Sequence, residues 1–320
     1  MKDKYIKLVN PEIKYNLKDI DNILKSKNVT NSEWVTKLEE KIKKIHNVRY
    51  AVATNSGTMA FMLLYNSLPF KPKKIVMPAF TWGSIKEAVK WLDVKVEWVD
   101  IYYQNWAAWF GKRRSMFNKK TLFVPTHTFG NTTLYNNTKN FNFIYDAAHC
   151  VGNPAIQGQG LGSFFSFSPA KATTGIEGGM IITNNESIYK KALKKRVIMG
   201  RMSEINAYIA FQNLKTYKKR LKNKKKIYNL YKKELSKYGT FQKMCITNYN
   251  EIGFVFNDYV DKWYVEGLLY GKMDLRSRYD CPELPDSSYS ADIRKHILML
   301  PGNSLGEAKK VVRMFKAYLK

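Results

Sequence analysis

Between residues 48 and 183, strand-length apolar runs alternate with helix-length amphipathic segments, and most of the runs end in a polar or small residue. The runs are Val48–Thr54 (Tyr50-Ala51-Val52-Ala53 at its centre), Ile75-Val76-Met77 closed by Pro78, Val94–Val99, Thr121–Val124, Phe141–Tyr145 and Met180–Thr183. Helices starting at about Thr58 and over Ser84–Leu92 fill two of the gaps. A chain that alternates in this way folds into the α/β class: a largely parallel sheet flanked by helices, with ligands outside the carboxyl ends of the strands. The residues delivered to those ends are therefore the first place to look for chemistry: Ser56-Gly57-Thr58, Trp82, His127, and Asp146 with His149.

Two short amphipathic helices, over 15–27 and 33–46, precede the alternation. Stretches 101–118 and 131–142 read as loops. From about residue 214 the character changes. One long helix over Lys215–Lys237, stopped by Gly239, leads to a strand at Ile252–Phe256 and a helix at Tyr259–Tyr270. The Arg-rich link Leu275-Arg276-Ser277-Arg278-Tyr279 and a final helix over Leu305–Leu319 follow. This order predicts a large α/β domain over 1–213 and a smaller α+β domain over 214–320, a size at which one chain carries two cores.

Composition removes several function classes. Cys150, Cys245 and Cys281 form no CxxC pair, which argues against a disulfide framework or a zinc site and for a reducing, cytoplasmic setting. No apolar run approaches a membrane span. The net charge of +28 raises nucleic-acid binding. The densest lysine run, however, carries Leu214, Tyr217, Leu221, Tyr228, Tyr231, Leu235 and Tyr238 at helical spacing, so its lysines are expected on the solvated faces of one amphipathic helix. Lysine rich in Asn, Ile and Tyr company also follows from a codon bias toward A and T. Nucleic acid is accordingly not an expected partner.

Most lysines of the chain sit in polar company on expected helix faces, but the lysine of Ser166-Phe167-Ser168-Pro169-Ala170-Lys171, a stretch running on to Gly178-Gly179, does not. Lys171 lies among small and hydroxyl residues between two buried-looking strands, where desolvation lowers an ammonium pKa and makes the amine a nucleophile. Alone, such a lysine is more often a turn residue. Ser56-Gly57-Thr58, at a strand-to-helix junction, presents N–H groups and a helix dipole to an anion, though simple capping looks the same. Asp146 is either an N-cap or a buried partner for a cation, with Ala147 and Ala148 leaving room for a flat ring. His149 alone reads as a structural histidine, and Trp82 as a core indole or a stacking face. Together, an anion seat, a stacking face, a carboxylate and a nucleophilic lysine are the parts that hold pyridoxal 5′-phosphate.

The chain resembles the DegT/DnrJ/EryC1/StrS family of fold-type-I pyridoxal-phosphate enzymes, chiefly nucleotide-sugar aminotransferases. The likeness runs from about Val29 to Val312. It rests on the blocks Ala51–Ala60, Val76–Trp82, Val99-Asp100-Ile101, Pro125–Gly130, Tyr145–His149, Ser166–Gly179, Arg201-Met202-Ser203-Glu204 and Leu298–Pro301. It implies that Lys171 is the Schiff-base lysine and proton carrier, that Asp146 pairs with the pyridine nitrogen, and that His149 neighbours the ring oxygen. Trp82 would stack on the ring; Gly57, Thr58 and Ser166 would hold the phosphate, assisted by the Met59 amide. The cofactor would cycle through pyridoxamine 5′-phosphate. The resemblance further implies a homodimer with its active site at the subunit interface, glutamate as amino donor and a nucleotide-linked keto sugar as acceptor. The wording of Tyr145–His149 and Ile176–Gly179 is closest to members that aminate C4 of a dTDP-4-keto-6-deoxyhexose.

Two departures stand out. Relatives place a loop before the Arg-Met-Ser-Glu block whose asparagine reaches the partner subunit's cofactor phosphate; here Arg196–Gly200 runs straight into Arg201. The stretch between Gly158 and Ser166 is short as well. These losses motivate an alternative, a trimmed relative that binds the cofactor or a partner without turnover. Members that dehydrate sugars carry histidine at the lysine position, and Lys171 argues against that branch.

Overall fold

A computed structural model of the chain describes residues 5–111, 118–133, 135, 141–275, 279 and 283–319. Arg276, Ser277, Arg278 and Cys281, and parts of the two expected loops, lie outside the described residues. The first elements are α1 (Leu17–Lys25), α2 (Glu33–His46), β1 (Tyr50–Thr54), α3 (Gly57–Asn66), β2 (Lys74–Pro78), α4 (Gly83–Lys90) and β3 (Lys95–Val99). Five strands follow: β4 (Thr121–Phe123), β5 (Asn131–Thr132), β6 (Asn142–Asp146), β7 (Gly162–Ser166) and β8 (Gly179–Thr183).

Seven of these strands form one sheet in the order β1-β8-β7-β6-β4-β2-β3. From β7 to β3 every neighbour pair is parallel. Strand β8 alone runs against its neighbours β1 and β7. The carboxyl ends of the other six therefore meet at one sheet edge, and the 167–178 connection between β7 and β8 turns over at that same edge. Side-chain alternation divides the core between the two faces. Ala51, Ala53, Phe165, Met180 and Ile182 pack under Leu38 and Ile42 of α2 and under Ala207, Ala210 and Leu214. Val52, Phe164 and Ile181 face the other way, toward Phe61 and Leu64 of α3 and Val89 of α4. Both faces are covered, as a parallel sheet requires.

The chain continues with α5 (Glu186–Met199), α6 (Glu204–Leu214), α7 (Tyr217–Leu235), β9 (Gly239–Phe241), β10 (Ile246–Thr247) and β11 (Ile252–Phe256). It ends with α8 (Tyr259–Leu269), α9 (Tyr289–His296), β12 (Ile297–Leu300) and α10 (Leu305–Tyr318). A second, antiparallel sheet has the order β12-β11-β9. It shares an apolar cluster with Ile227, Tyr231 and Leu235 of α7 and Val311 and Phe315 of α10. A further cluster joins the two sheets' surroundings: Phe80, Trp106 and Phe129 pack against Val255, Ile293, Ile297 and Met299. Among the described residues, no helix is long and apolar enough to cross a membrane.

Several elements differ from the sequence expectation. Helix α6 has no readable stripe because it is buried nearly all round, through Ala207, Tyr208, Ile209, Ala210, Asn213 and Leu214. Helix α5 buries only Ile188 and Ala192, while Val197 and Ile198 face outward and blur its pattern. Leu214 ends α6 rather than opening the long lysine-rich helix, and β9 and β10 intervene before β11.

Glu204, in the Arg-Met-Ser-Glu block, ties these layers together. Helix α2 starts at Ser32, which makes no side-chain cap. The buried Glu204 carboxylate replaces it, accepting from the N–H groups of Ser32 (2.6 Å), Trp34 (2.6 Å) and Val35 (3.2 Å). An anion at a helix N-terminus satisfies orphan donors and opposes the positive end of the dipole. Glu204→Ala strands three donors, so it should lower unfolding free energy by about 3 kcal/mol. Denaturant titration measures this, and a loss below about 0.5 kcal/mol would refute the capping role.

Candidate active site

Gly57, Thr58, Trp82, Asp146, His149, Ser166 and Lys171 all line one cavity of about 270 Å³ at the carboxyl edge of the large sheet. They arrive there from β1–α3, β2–α4, β6 and β7, so the parallel order gathers residues far apart in the chain.

At the first junction Ser56 caps α3, its hydroxyl accepting from the Met59 N–H at 3.1 Å. The Met59 amide is thus engaged by the cap, and the anion seat rests on Gly57 and Thr58. Gly57 must be bare: a Cβ there would stand 2.8 Å from the Ser166 Cβ. The Ser166 hydroxyl consequently sits directly against the first turn of α3. Thr58 Oγ1 lies 2.9 Å from Ser84 Oγ, which brings the start of α4 to the same place. Trp82 precedes α4 and keeps 44% of its surface exposed, with Tyr279 edge-on at 6.4 Å. The indole is a wall of the cavity rather than core.

Asp146 ends β6 and is 3% exposed. Its Oδ1 accepts the Ala148 N–H at 3.0 Å. Burial pushes its pKa up to about 6, against the pull of that N–H and of the Lys171 charge. This electrostatic coupling places Lys171 within reach of the carboxylate's field. Lys171 is half-buried and heads a turn closed by its own N–H to the Ser168 carbonyl at 3.0 Å. His149 is buried, beside Phe129.

The cavity also holds residues to which sequence reasoning assigned no role. His127 is buried and stacked on Tyr145 (5.2 Å between centroids, 13° between planes), and burial pushes its pKa down to about 3, so it is a neutral imidazole. Neither of its ring nitrogens has a hydrogen-bond partner among the described residues. Ser84 follows a strand end and opens a helix, the same signal that marked Ser56–Thr58. Glu251 and Tyr279 line the cavity from beyond residue 213, where no local pattern points to it.

The shortened connection after α5 lies next to the anion seat. Asn55 N–H donates to the Gly200 carbonyl at 3.3 Å, and a Cβ on Gly200 would meet Asn55 Oδ1 at 2.7 Å. Residues 200–203 therefore pack against the residue before Ser56 and pass directly into α6.

These residues fit a phosphorylated, cationic, flat ring. Gly57 lets the Ser166 hydroxyl reach a helix N-terminus, Ala147 and Ala148 are small, a carboxylate is buried with one backbone donor and a lysine charge near it, and Trp82 keeps 44% of its surface exposed. Solved structures share the whole architecture. DesI, solved in the presence of its TDP-sugar product, matches with a TM-score of 0.88 at 17% identity, covering 99% of this chain and 93% of that one. Helicobacter pylori PseC, an aminotransferase involved in the biosynthesis of pseudoaminic acid, also gives 0.88 at 17% identity, covering 99% and 100%. The fold is the fold-type-I pyridoxal-phosphate-dependent transferase fold. Within it, the chain belongs to the DegT/DnrJ/EryC1/StrS aminotransferase family, which matches residues 11–256. A UDP-4-amino-4,6-dideoxy-N-acetyl-beta-L-altrosamine transaminase of Campylobacter jejuni (serotype O:23/36, strain 81-176) is 27% identical over 267 residues, 73% of this chain and 71% of that protein. A GDP-perosamine synthase of Escherichia coli O157:H7 is 24% identical over 263 residues, 73% and 72% respectively.

The Asp146 shift makes a prediction about the cofactor-free protein. A carboxyl whose folded pKa lies above its unfolded one favours folding while protonated. That contribution is complete below about pH 4 and is lost as pH rises through about 6. Asp146→Asn stays neutral throughout, so above pH 6 it should be the more stable protein by up to about 3 kcal/mol, with the gap closing toward pH 4. Thermal or urea unfolding from pH 4 to 8 measures it; parallel curves for the two proteins would contradict the burial argument.

Proposed function

We propose that the protein binds pyridoxal 5′-phosphate in this cavity and transfers an amino group from glutamate to the keto group of a nucleotide-linked sugar. The observation that carries this reading is the meeting of Lys171 with the buried Asp146 in one cavity whose far wall is the N-terminus of α3. Family membership supports the aminotransferase chemistry, and the relatives' names support an activated sugar as acceptor.

Each residue then has a task. Gly57 and Thr58 N–H groups, with the α3 dipole and Ser166 Oγ, hold the phosphate. Trp82 covers one ring face. Asp146 keeps a proton on the ring nitrogen, because its buried carboxylate is stabilised by an opposite charge beside it. When bound, the cofactor supplies an electron sink for negative charge developing on the carbon next to the transferred nitrogen. Lys171 Nζ anchors the cofactor and, when released, carries a proton to and from that carbon. His149 orients the ring oxygen.

The same proposal includes a homodimer with the cavity at its interface, supported by the outward Val197 and Ile198 at the end of α5, close to the Asn55–Gly200 contact. It also includes a division into domains 1–213 and 214–320, supported by the separate apolar cluster of the antiparallel sheet. The short 200–203 connection favours one alternative, a relative that binds the cofactor without turnover.

Purified protein should be yellow, and glutamate should bleach it to the pyridoxamine form. Lys171→Ala should abolish this conversion while leaving the fold intact by circular dichroism, and Asp146→Asn should slow it by orders of magnitude. Wild-type turnover in Lys171→Ala would overturn the lysine's role; colour without response to any amino donor would select the alternative. The acceptor nucleotide is read as dTDP from the Tyr145–His149 and Ile176–Gly179 blocks, whereas the relatives quoted are named for UDP and GDP sugars. A panel of dTDP-, UDP- and GDP-linked keto sugars decides among them.

A further inference from the structure

A second cavity, of about 320 Å³, lies on the other side of the Lys171 turn. The two cavities share Ala170, Lys171 and Glu251. Its remaining wall comes from the N-terminal segment around Leu8–Lys14, the first turns of α7 and the Met299–Asn303 stretch after β12. Lys14, Lys219, Arg220 and Lys224 face it against Glu12 and Glu251, so its lining carries a net positive charge even before Lys171 is counted.

The donors already in use separate wall from binding group. Arg220 is spent on the scaffold. Its Nε donates to the Ala172 carbonyl (2.9 Å), its Nη1 to Thr216 Oγ1 (3.0 Å) and its Nη2 to the Asn213 carbonyl, and Glu12 lies 3.5 Å away. Asn250, 2% exposed, accepts the Ala172 N–H at its Oδ1 (2.6 Å). That bond fixes the amide's orientation, so Nδ2 is the free end, and among the described residues it has no hydrogen-bond partner. An unpaired amide donor buried in a cavity wall is stabilised by an acceptor supplied from outside. Lys224 Nζ donates to the Asn250 carbonyl at 2.9 Å, leaving further N–H bonds to give. A Cβ on Gly302 would stand 3.3 Å from that nitrogen, so the glycine keeps the ammonium clear. Burial lowers the Lys224 pKa to about 8, helped by Arg220 and opposed by Glu251. An added anion would restore it.

We propose that Lys224 and Asn250 seat an oxyanion of a substrate in this cavity: the carboxylate of the amino donor or a phosphate of the acceptor. The proposal rests on the aminotransferase reading for the identity of those substrates. The anion would lie against the Lys171 turn, whose backbone Asn250 and Arg220 already hold, so binding it and positioning the lysine involve the same residues.

Two variants test the seat with little damage to the scaffold. Lys224→Gln keeps a donor for the Asn250 carbonyl and removes the charge. Asn250→Asp keeps the acceptor for the Ala172 N–H and replaces the free donor with an oxygen. Calorimetric binding of glutarate and of inorganic phosphate to the purified protein, at ionic strength held with chloride, should weaken about tenfold or more in both variants. Should Asn250→Asp fail to fold, Lys224→Gln carries the measurement. Wild-type affinity for both probes in the variants, or no probe binding by the wild type, overturns the seat. The source follows from kinetics. A raised half-saturation for glutamate in the bleaching half-reaction, with the limiting rate unchanged, assigns the donor carboxylate; an unchanged half-reaction with a raised acceptor KM assigns the phosphate. A wild type that binds a probe but does not bleach with glutamate keeps the seat and refutes the aminotransferase reading. Bleaching with probe binding unaltered in the variants does the reverse.

Discussion

The structure depends on the parallel register running from β7 through β6, β4 and β2 to β3. Parallel neighbours end on the same side, so five strands, joined by β1 across the reversed β8, deliver their last residues to one edge. Thr54, Pro78, Asp146 and Ser166 are strand-terminal because of that register, and the helices that follow β1 and β2 start with their positive ends toward the edge. The reversed β8 has its own consequence. Because β7 and β8 are adjacent and antiparallel, their connection, which carries Lys171, stays at the edge where β6 ends in Asp146 instead of crossing the sheet.

Electrostatics at this edge is arranged at a cost to folding. Asp146 is buried with one backbone donor and a coupled lysine, and its carboxyl is pushed upward as a result. His127 is buried without a partner for either ring nitrogen among the described residues. Neither feature helps the cofactor-free fold, since burying polar groups without full compensation is unfavourable. Both become reasonable when a cationic, hydrogen-bonding ligand completes them. Elsewhere in the scaffold, two carboxylates are fully used as helix caps. Glu204 caps α2, and Asp100 at the end of β3 accepts the N–H groups of Tyr289 (2.9 Å) and Ser290 (2.8 Å) at the start of α9. Glu204 thus ties α2 to α6, and Asp100 ties α9 to the end of β3.

Much of the large sheet was legible because most of its strands are short apolar runs, a local signal, whereas β7 was not among the runs picked out. The seven residues singled out from the sequence lie at or after strand ends, which is why the parallel sheet gathers them around one cavity. What was not legible is contributed across the chain. Helix α6 hides its period by being buried on all sides. Glu251 and Tyr279 reach the cavity through packing of Val255, Ile293 and Ile297 against Phe80 and Phe129, and no window of sequence contains that contact. The Met59 amide illustrates the opposite limit. Proximity to the seat was readable, but whether Ser56 would take that N–H for its own cap depended on a side-chain torsion.

Helix α7 shows why a charge run cannot be read as one surface. Its C-terminal half buries Ile227, Tyr228, Tyr231 and Leu235 in the antiparallel-sheet cluster, leaving its lysines to solvent as the periodicity predicts. Its N-terminal half has no comparable stripe. There Arg220 and Lys224, one turn apart, face the turn that carries Lys171. Helical spacing puts them on one side, but only the placement of α7 beside β11 and the 167–178 connection decides that this side is a cavity wall. The positive charge of this chain therefore has at least two physical meanings. Most of it is solvated, while a small part is half-buried beside the Lys171 turn, where salt screens its field less.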